Sequence, residues 1–368
     1  MKKKILFCNF DMKGGGAEKV LLNLLRCLSP DKYDITLFLI FGVGVHLDNL
    51  PSYVKVKCLF RHQFSGFTHL MRLFSPKILH KLFIKERYDV EIAYLETSPT
   101  RIISGAPKNV KKVCWVHIQE EKIDEFSSYY RSANEMVQCY NRFNQIVFVS
   151  KTAMKVFEVN HPEIIVPKCV IYNINDINEI LLKGKEPIDE TLGKGINICT
   201  IGRLTRQKAY HRLLQVVKKL NDLGLAPLYN LYILGRGEEE NSLKQYIKEN
   251  NLENVVMLGF QNNPYKYLSK MDLFVCSSIK EGYSTAVTEA ALLNIPVITT
   301  DVSGMDEILS DGKYGLIVPN NAEALFEGMK SLIEYPEKIT QYKQRLLEAN
   351  KISQVDNLRR YEDLIDNI

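Results

Sequence analysis

The sequence is organised around residues 281–289, which read Glu281-Gly282-Tyr283-Ser284-Thr285-Ala286-Val287-Thr288-Glu289. The apolar runs 272–276 and 296–300 flank this segment and predict two buried parallel strands. The residues from Tyr283 to Asn294 predict a helix, which places Glu281 in the strand-to-helix loop and Glu289 about two turns into the helix. Ligands of open α/β sheets bind at the carboxyl ends of the strands, so this loop is a candidate phosphate and polyol site.

A local structural role is the alternative for these two glutamates. Glutamates eight positions apart also occur by chance in acidic helices, where Glu289 would cap the helix or pair locally. The residues around Glu289, Thr288 to Leu293, are mostly small or apolar and predict a helix packed against a sheet. This context favours the binding function.

The composition is that of a soluble globular protein with two domains. The chain has 368 residues, of which 46% are hydrophobic and 25% are charged. Its apolar runs are all shorter than the roughly 18 to 20 residues of a membrane span. Residues 1–4, Met-Lys-Lys-Lys, lead into a short strand rather than a signal-peptide core. We therefore expect a cytoplasmic location.

The cysteines and the charge distribution limit the possible function classes further. The eight cysteines form no C-x-x-C motif and mostly lie in apolar runs, so we expect reduced core residues, neither disulfides nor zinc ligands. Residues 1–175 carry a net charge of +9 and residues 176–368 a net charge of −4. This asymmetry argues against one uniform structural role for the chain.

The chain begins with a strand, 5–10, followed by a glycine loop, Gly14, Gly15 and Gly16, and a helical pattern. Such a unit opens a doubly wound α/β domain, and its glycines allow close backbone approach to a ligand. A tight turn without a ligand is the alternative, and the loop is not the G-x-G-x-x-G of dinucleotide folds. Further strands alternate with helices and predict a parallel sheet; they are 35–40, 54–60, 90–94, 112–116, 145–149 and 168–172.

His117 directly follows the predicted strand 112–116. It would therefore stand at the carboxyl edge of the sheet, where an imidazole suits proton transfer or a hydrogen bond to a sugar hydroxyl. A structural histidine is the alternative.

Residues 69–87 predict a basic amphipathic stretch, interrupted by Pro76. Such a stretch can lie on an anionic membrane surface, or it can be a core-facing helix with a solvated basic face. Its basic members are Arg72, Lys77, His80, Lys81, Lys85 and Arg87.

The run 174–195 loses periodicity and gains glycine and proline, so we place the domain junction there. The predicted domains are 1–178 and 190–350, with a C-terminal helix, 351–368, that packs on the first domain. The second domain repeats the strand-helix alternation, with a G-x-G turn at Gly235. Its strands are 196–201, 231–234, 255–258, 273–276 and 297–300.

Arg203 and Lys208 follow the first strand of the second domain. The guanidinium and the ammonium groups can converge on one anion from this position, which predicts a diphosphate site. Solvated surface cations are the alternative.

Together these motifs resemble the retaining family-4 glycosyltransferases with the GT-B fold, of the bacterial surface-polysaccharide type. The motifs are Arg203 and Lys208 in Gly-Arg-Leu-x-x-x-Lys, Glu281 and Glu289 in E-x7-E, the loop 14–16, and 315–319, Gly-Leu-Ile-Val-Pro. The resemblance covers nearly the whole chain. It implies two Rossmann-like doubly wound domains facing a cleft, with the nucleotide sugar held mainly by the second domain.

The resemblance also implies roles for individual residues. Arg203 and Lys208 would hold the diphosphate, Glu281 the sugar hydroxyls, Glu289 the ribose, and Phe260 would lie near the base. The implied catalytic residues are His117, Glu281, Arg203 and Lys208. The implied donor-binding residues are Gly15, Gly16, Arg203, Lys208, Gly235, Phe260, Glu281, Gly282, Tyr283, Ser284, Thr285 and Glu289.

The expected chemistry follows from the leaving group. Negative charge develops on the diphosphate as the glycosyl bond breaks, and preplaced cations stabilise it. The sequence has no D-x-D motif, which fits charge neutralisation by Arg203 and Lys208 without a metal or other cofactor. Retention of configuration is implied by the resemblance, and we expect front-face attack by the acceptor.

We therefore expect transfer of a hexose or N-acetylhexosamine from a nucleotide sugar, most often a UDP-sugar in this family, to a glycan or lipid-linked acceptor. No nucleic-acid partner is expected. Tyr283-Ser284 stands where Phe-Gly or Phe-Pro is commoner, which leaves the donor sugar open. A non-catalytic GT-B scaffold of a polysaccharide assembly complex and a GT-B sugar-nucleotide epimerase are the alternatives.

Overall fold

The computed structural model describes residues 2–120, 122–123, 125–349 and 355–368. The chain forms two units, residues 1–174 with 354–368 (unit 1) and residues 175–353 (unit 2). Each unit contains one parallel sheet with helices packed against it. Among the described residues, none of the helices is long and apolar enough to cross a bilayer.

The sheet of unit 1 has seven parallel strands in the order β3-β2-β1-β4-β5-β6-β7. Its strands are β1 Lys3–Asn9, β2 Tyr33–Phe41, β3 Lys55–Phe60, β4 Val90–Ala93, β5 Lys111–Val116, β6 Gln145–Phe148 and β7 Lys168–Val170. Its helices are α1 Gly16–Cys27, α2 Phe67–Met71, α3 Pro76–Phe83, α4 Ser98–Ile103, α5 Ala133–Tyr140, α6 Lys151–Asn160 and α15 Val355–Asn367. The central strands are apolar on both faces because helices cover both faces of the sheet.

The sheet of unit 2 has six parallel strands in the order β10-β9-β8-β11-β12-β13. Its strands are β8 Ile196–Ile201, β9 Tyr229–Leu234, β10 Val255–Gly259, β11 Leu273–Cys276, β12 Val297–Thr300 and β13 Gly315–Val318. Its helices are α7 Ile177–Gly184, α8 Tyr210–Asp222, α9 Glu240–Glu249, α10 Tyr265–Leu268, α11 Thr285–Leu292, α12 Met305–Leu309, α13 Ala322–Glu334 and α14 Glu337–Ala349. In both units the strand order reverses beside the first strand, as in a doubly wound fold.

Polar side chains begin several of the helices. The Oγ atoms of Ser75, Ser132 and Ser150 accept backbone N–H groups at the starts of α3, α5 and α6. Asp176 does the same for α7. Each such cap satisfies one of the N–H groups that a helix start leaves without an intrahelical partner.

The interruption that the sequence predicts at Pro76 is present, since α2 and α3 are separate helices, Ser75 caps α3 and Pro76 occupies its first turn. Three other local features differ from the expectation. His80 belongs to the core rather than the basic face, since its Nε2 lies 2.8 Å from Glu91 Oε2. The run 174–195 contains a helix, α7, and β13 was not predicted as a strand although it pairs in parallel with β12.

Candidate active site

Lys208 and Glu281 meet at the point where the strand order of unit 2 reverses. Lys208 ends the 3-10 turn Arg206–Lys208, which follows β8, and Glu281 lies in the loop after β11. The two strands are neighbours in the sheet although other strands separate them in sequence. Their carboxyl ends therefore form the kind of crevice in which open α/β sheets bind ligands.

A short ion pair joins these two side chains. Lys208 Nζ lies 2.5 Å from Glu281 Oε1, and Ser278 Oγ donates to the same carboxylate oxygen at 2.6 Å. Burial lowers the pKa of Lys208, but the charges facing it, chiefly the Glu281 carboxylate, outweigh burial and the pKa is raised. Lys208 is therefore a protonated, oriented cation at neutral pH.

Backbone hydrogen bonds fix the loop of Glu281 to the turn of Lys208. Ile279 N donates to Gln207 O at 2.8 Å, and Gln207 Nε2 donates to Lys280 O at 2.9 Å. Ser277 Oγ donates to Lys208 O at 2.8 Å. The two segments thus hold each other in register, and the ion pair does not depend on long flexible side chains alone.

The glycine turn after β9 packs tightly against the loop that carries Arg203. A Cβ atom on Gly235, whose φ is +145°, would lie 1.9 Å from Gly202 O. Leu204 N donates to Arg236 O at 3.0 Å. Arg203 is exposed. Its positive charge opposes the raised pKa of Lys208, but this effect is smaller than the effects of burial and of Glu281. Arg203 is therefore close enough to Lys208 for the two charges to interact.

Glu289 is buried on α11 and is held by a tyrosine from α10. Tyr265 Oη donates to Glu289 Oε1 at 2.8 Å. Burial first and the Glu289 carboxylate second raise the pKa of Tyr265, which therefore acts as a hydrogen-bond donor at all physiological pH values. α11 begins at Thr285 rather than Tyr283, so Glu289 lies just over one turn into the helix.

His117 stands at the carboxyl end of β5, as its position in the sequence predicts. Its backbone N donates to Glu96 Oε2 at 3.1 Å, and its ring packs 4.7 Å from the ring of Tyr94. Burial lowers the pKa of the imidazole to about 3. The Nε2 atom is buried, and no described residue provides it with a hydrogen-bond partner. The ring is therefore neutral near pH 7.

The remaining predicted site residues are divided between the units. Gly15 is the N-cap of α1 and Gly16 its first residue, and both belong to unit 1 with His117. Phe260 follows β10 in unit 2 and is about half exposed. The loop residues between Glu281 and α11 are Gly282, Tyr283 and Ser284, and Thr285 is the first residue of the helix.

Several residues that support this site were not singled out from the sequence. Ser278 carried a weak signal, since a hydroxyl directly after a buried strand lies at the carboxyl edge of a sheet. Arg212 of α8 donates through Nη2 to Ser278 O at 3.0 Å and through Nη1 to Asn320 Oδ1 at 2.8 Å. Tyr265 and Glu96 gave no signal, because their contacts join segments far apart in the chain.

Known proteins are similar to unit 2 in sequence, and solved structures are similar to the whole chain in fold. Residues 185–348 match the family model described as glycosyl transferases group 1. The chain is 36% identical over 172 residues to the N-acetylgalactosamine-N,N'-diacetylbacillosaminyl-diphospho-undecaprenol 4-alpha-N-acetylgalactosaminyltransferase of Campylobacter jejuni. That alignment spans 45% of this chain and only 45% of the relative. An uncharacterized glycosyltransferase of Methanocaldococcus jannaschii is 28% identical over 76% of this chain and 73% of its own length.

Solved structures confirm the expected GT-B fold of two Rossmann-like domains. The crystal structure of Anabaena Alr3699/HepE in complex with UDP superposes with a TM-score of 0.76 at 19% identity, and covers 100% of both chains. The structure of WaaG, a glycosyltransferase involved in lipopolysaccharide biosynthesis, gives a TM-score of 0.69 at 12% identity over 98% of this chain and 99% of that chain. The segment that matches the glycosyl transferases group 1 model, residues 185–348, lies within unit 2 and includes Lys208 and Glu281.

Proposed function

We propose that this chain is a retaining, metal-independent glycosyltransferase. It moves a hexose or N-acetylhexosamine from a UDP-sugar to a hydroxyl of a glycan or lipid-linked acceptor in surface polysaccharide or glycolipid synthesis. The observation that carries the proposal is the Lys208–Glu281 ion pair, with Arg203 beside it, at the strand-order reversal of unit 2. This pair lies inside the segment that matches the family model.

Lys208 and Arg203 stabilise the diphosphate as it leaves. The ammonium group of Lys208 has three N–H donors, of which Glu281 takes one, so two remain for phosphate oxygens. Arg203 adds an exposed planar guanidinium that suits bidentate contact with phosphate. Cations already in place when charge develops lower the barrier without reorganisation.

Glu281 and Glu289 hold hydroxyl groups of the donor. Glu281 orients Lys208 and accepts hydrogen bonds from the sugar, and backbone N–H groups of Gly282–Thr285 assist it. Tyr265 fixes the carboxylate of Glu289 so that it accepts from the ribose. Phe260, half exposed after β10, offers a ring surface to the base.

His117 assists as a neutral hydrogen-bonding group beside the donor sugar, with Gly15 and Gly16 near the phosphates. Its lowered pKa supports this role, because a ring that stays neutral near pH 7 does not supply a proton as imidazolium. The acceptor hydroxyl attacks from the face that the diphosphate leaves, which retains the anomeric configuration.

Known relatives support the donor and the acceptor of the proposal. Anabaena Alr3699/HepE has been crystallised with UDP and with UDP-glucose. The name of the Campylobacter jejuni relative includes a diphospho-undecaprenol acceptor and an N-acetylgalactosaminyl group. A UDP-sugar donor and a lipid-linked acceptor are therefore the first combination to test.

A surface of unit 1 suits the membrane at which a lipid-linked acceptor would lie. We use the name basic apolar face for the exposed side chains of residues 61–87; the apolar ones are Phe64, Leu70, Leu73, Phe74, Ile78 and Leu82, and the basic ones are Arg61, Lys77, Lys81, Lys85 and Arg87. Apolar side chains would enter the headgroup region while the basic ones attract anionic lipid. The enzyme would then act as a peripheral protein on the inner face of the cell membrane.

Two arginines hold the α2–α3 turn of this face. Arg101 is buried and donates to Met71 O at 2.7 Å and to Phe74 O at 2.8 Å. Arg131 donates through Nε to Arg72 O at 2.6 Å. Glu135 pairs with Arg101 at 3.0 Å, which neutralises the buried guanidinium. The turn is therefore fixed by charge-assisted hydrogen bonds, and Leu73 and Phe74 project from a rigid base.

Incubation of the purified protein with a panel of UDP-sugars, with and without a lipid-diphosphate glycan acceptor, tests the function. We expect acceptor-dependent release of UDP and a glycosylated product with one preferred sugar. Conversion of a UDP-sugar into its epimer without UDP release would support an epimerase instead. Binding without turnover of any donor, at excess protein and with an acceptor, would support a scaffold.

A further inference from the structure

A column of stacked rings in unit 1 joins the C-terminal helix to His117. The ring of Tyr361 on α15 lies 5.2 Å from the ring of Trp115 with an angle of 5° between their planes. Trp115 stacks in turn on Tyr94 at 5.8 Å and 27°, and Tyr94 packs on His117 at 4.7 Å. The first three rings are fully buried. A displacement of Tyr361 therefore reaches His117 through closely packed rings rather than through solvent.

The polar atoms of the three buried rings interact with one another. The Tyr94 and Tyr361 hydroxyls and the Trp115 Nε1 atom are all buried. Burial raises the pKa of Tyr361, and hydrogen bonding with Tyr94 and Trp115 acts on the same hydroxyl. The stacked rings bring these polar atoms together, and stacking itself contributes beyond the burial of the ring surfaces.

α15 is anchored on unit 1 from both ends of the sheet. Near its C-terminus, Lys3 Nζ donates to Ile365 O at 2.5 Å and Tyr33 Oη donates to Asp366 Oδ1 at 3.0 Å, both at the starts of strands. Tyr361 lies one helical turn earlier, against the end of β5. Unit 2 precedes α15 in the sequence, but α15 packs into the core of unit 1.

We propose that Tyr361 is a positioning residue for His117 and acts through Trp115 and Tyr94. The inference rests on the proposed role of His117 beside the donor sugar. The stacked column sets the position of the imidazole, and the docking of α15 sets the column. The side chain at position 361 then affects turnover although it touches neither substrate.

The test compares Tyr361→Leu, Tyr361→Phe and the matched control Ile365→Val, which truncates another fully buried residue of α15 outside the column. We expect Tyr361→Leu to lower kcat about 10- to 100-fold, as small misplacements of a catalytic group do, with little change in the KM for the donor. Tyr361→Phe keeps the ring and should restore kcat, and Ile365→Val should leave kcat unchanged. Trp115 is the single tryptophan of the chain, so its fluorescence reports directly whether the column is disturbed.

A double-mutant cycle separates this inference from the proposed function. If Tyr361 acts through His117, then Tyr361→Leu causes no further loss in a His117→Ala background. Multiplicative losses in the double variant, or an unchanged kcat in Tyr361→Leu despite altered Trp115 fluorescence, would overturn the positioning role alone. Full activity of His117→Ala would instead refute the proposed role of His117, and the inference with it. Tyr361→Met replaces Tyr361→Leu if the latter does not fold.

Discussion

The ion pair between Lys208 and Glu281 is the single contact on which the proposed chemistry depends most. We expect Lys208→Met to lower kcat/KM about 10²- to 10³-fold, because loss of one preplaced charge removes stabilisation of the leaving diphosphate. The variant also leaves the Glu281 carboxylate buried without its cation, so we expect a loss of about 1–3 kcal/mol in the free energy of unfolding. Steady-state kinetics and thermal melting measure the two effects.

The matched control is Lys219→Met, which removes a lysine of the same unit from an exposed pair with Glu323. Exposed ion pairs contribute at most about 1 kcal/mol, and this one lies outside the proposed site. We expect kcat/KM to stay at the wild-type value. Equal activity of Lys208→Met and Lys219→Met would remove Lys208 from the mechanism.

The lowered pKa of His117 predicts its behaviour with pH. The folded value of about 3 lies below the unfolded value of about 6.5, so the unfolded state binds more protons between these pH values. His117 therefore costs no stability above pH 6.5 and reduces stability progressively as the pH falls towards 3. In NMR spectra assigned by comparison with His117→Gln, the ring signals of His117 should not titrate between pH 5 and 8. A midpoint near 6.5 would show an exposed, protonatable ring.

At the scale of elements, we expect the exposed side chains of α2, α3 and the turn between them to bind a membrane. Leu73 on the turn between them is 70% exposed, and a bilayer would bury it. We expect Leu73→Ser to weaken binding to vesicles that contain anionic lipid about tenfold, since full burial of a leucine contributes about 1.5–3 kcal/mol. Flotation with vesicles measures the bound fraction.

Leu182→Ser is the matched control for this surface. Leu182 lies on α7 of unit 2 and is also 70% exposed, but it is not part of the basic apolar face. Its substitution should leave vesicle binding unchanged. If both variants bind as the wild type does, or if anionic and neutral vesicles bind the wild type equally, the face has another role.

The turn after β9 contains Gly235, and we expect that no other residue can replace it. The control variant is Gly224→Ala in the same unit, where the added Cβ atom meets open space at a φ of +80°. It should lower the free energy of unfolding by about 1 kcal/mol, for the left-handed conformation alone. Gly235→Ala adds a Cβ atom 1.9 Å from Gly202 O, so the loop of Arg203 must shift. We expect a loss of about 3 kcal/mol or more and weaker UDP binding. Similar melting temperatures for the two variants would mean that the loops are not tightly packed.

Element by element, the sequence predicts the strands better than it predicts the helices. Strands buried on both faces leave unbroken apolar runs, and twelve of the thirteen described strands coincide with runs singled out from the sequence. β13 was missed because its four residues, Gly315–Val318, begin with glycine and follow a turn. α7 was missed because the glycine and proline around it resemble a linker, whereas Asp176 in fact caps a helix that belongs to unit 2.

For the whole molecule, the two units share an architecture, and the predicted site residues are divided between them in sequence. The strand order places Lys208 and Glu281 together, and no local pattern contains that order, since the two residues are separated by three strands of sequence. The sequence shows that Lys208 and Glu281 each follow a predicted strand. Only the resemblance to a known family indicates that the two side chains belong to one site. Contacts such as Tyr265 with Glu289 depend on helix packing and appear only in three dimensions.

The binding of UDP is the most direct test of the central claim that Arg203, Lys208, Glu281 and Glu289 enclose one activated sugar nucleotide. Calorimetric titration of UDP into the wild-type protein should show one site per chain without added metal. The affinity should fall at least about tenfold in Arg203→Ala and in Lys208→Met, because each removes a phosphate contact worth about 1.5–3 kcal/mol. Absence of UDP binding to the folded wild type, or equal affinity in all three proteins, would contradict the claim.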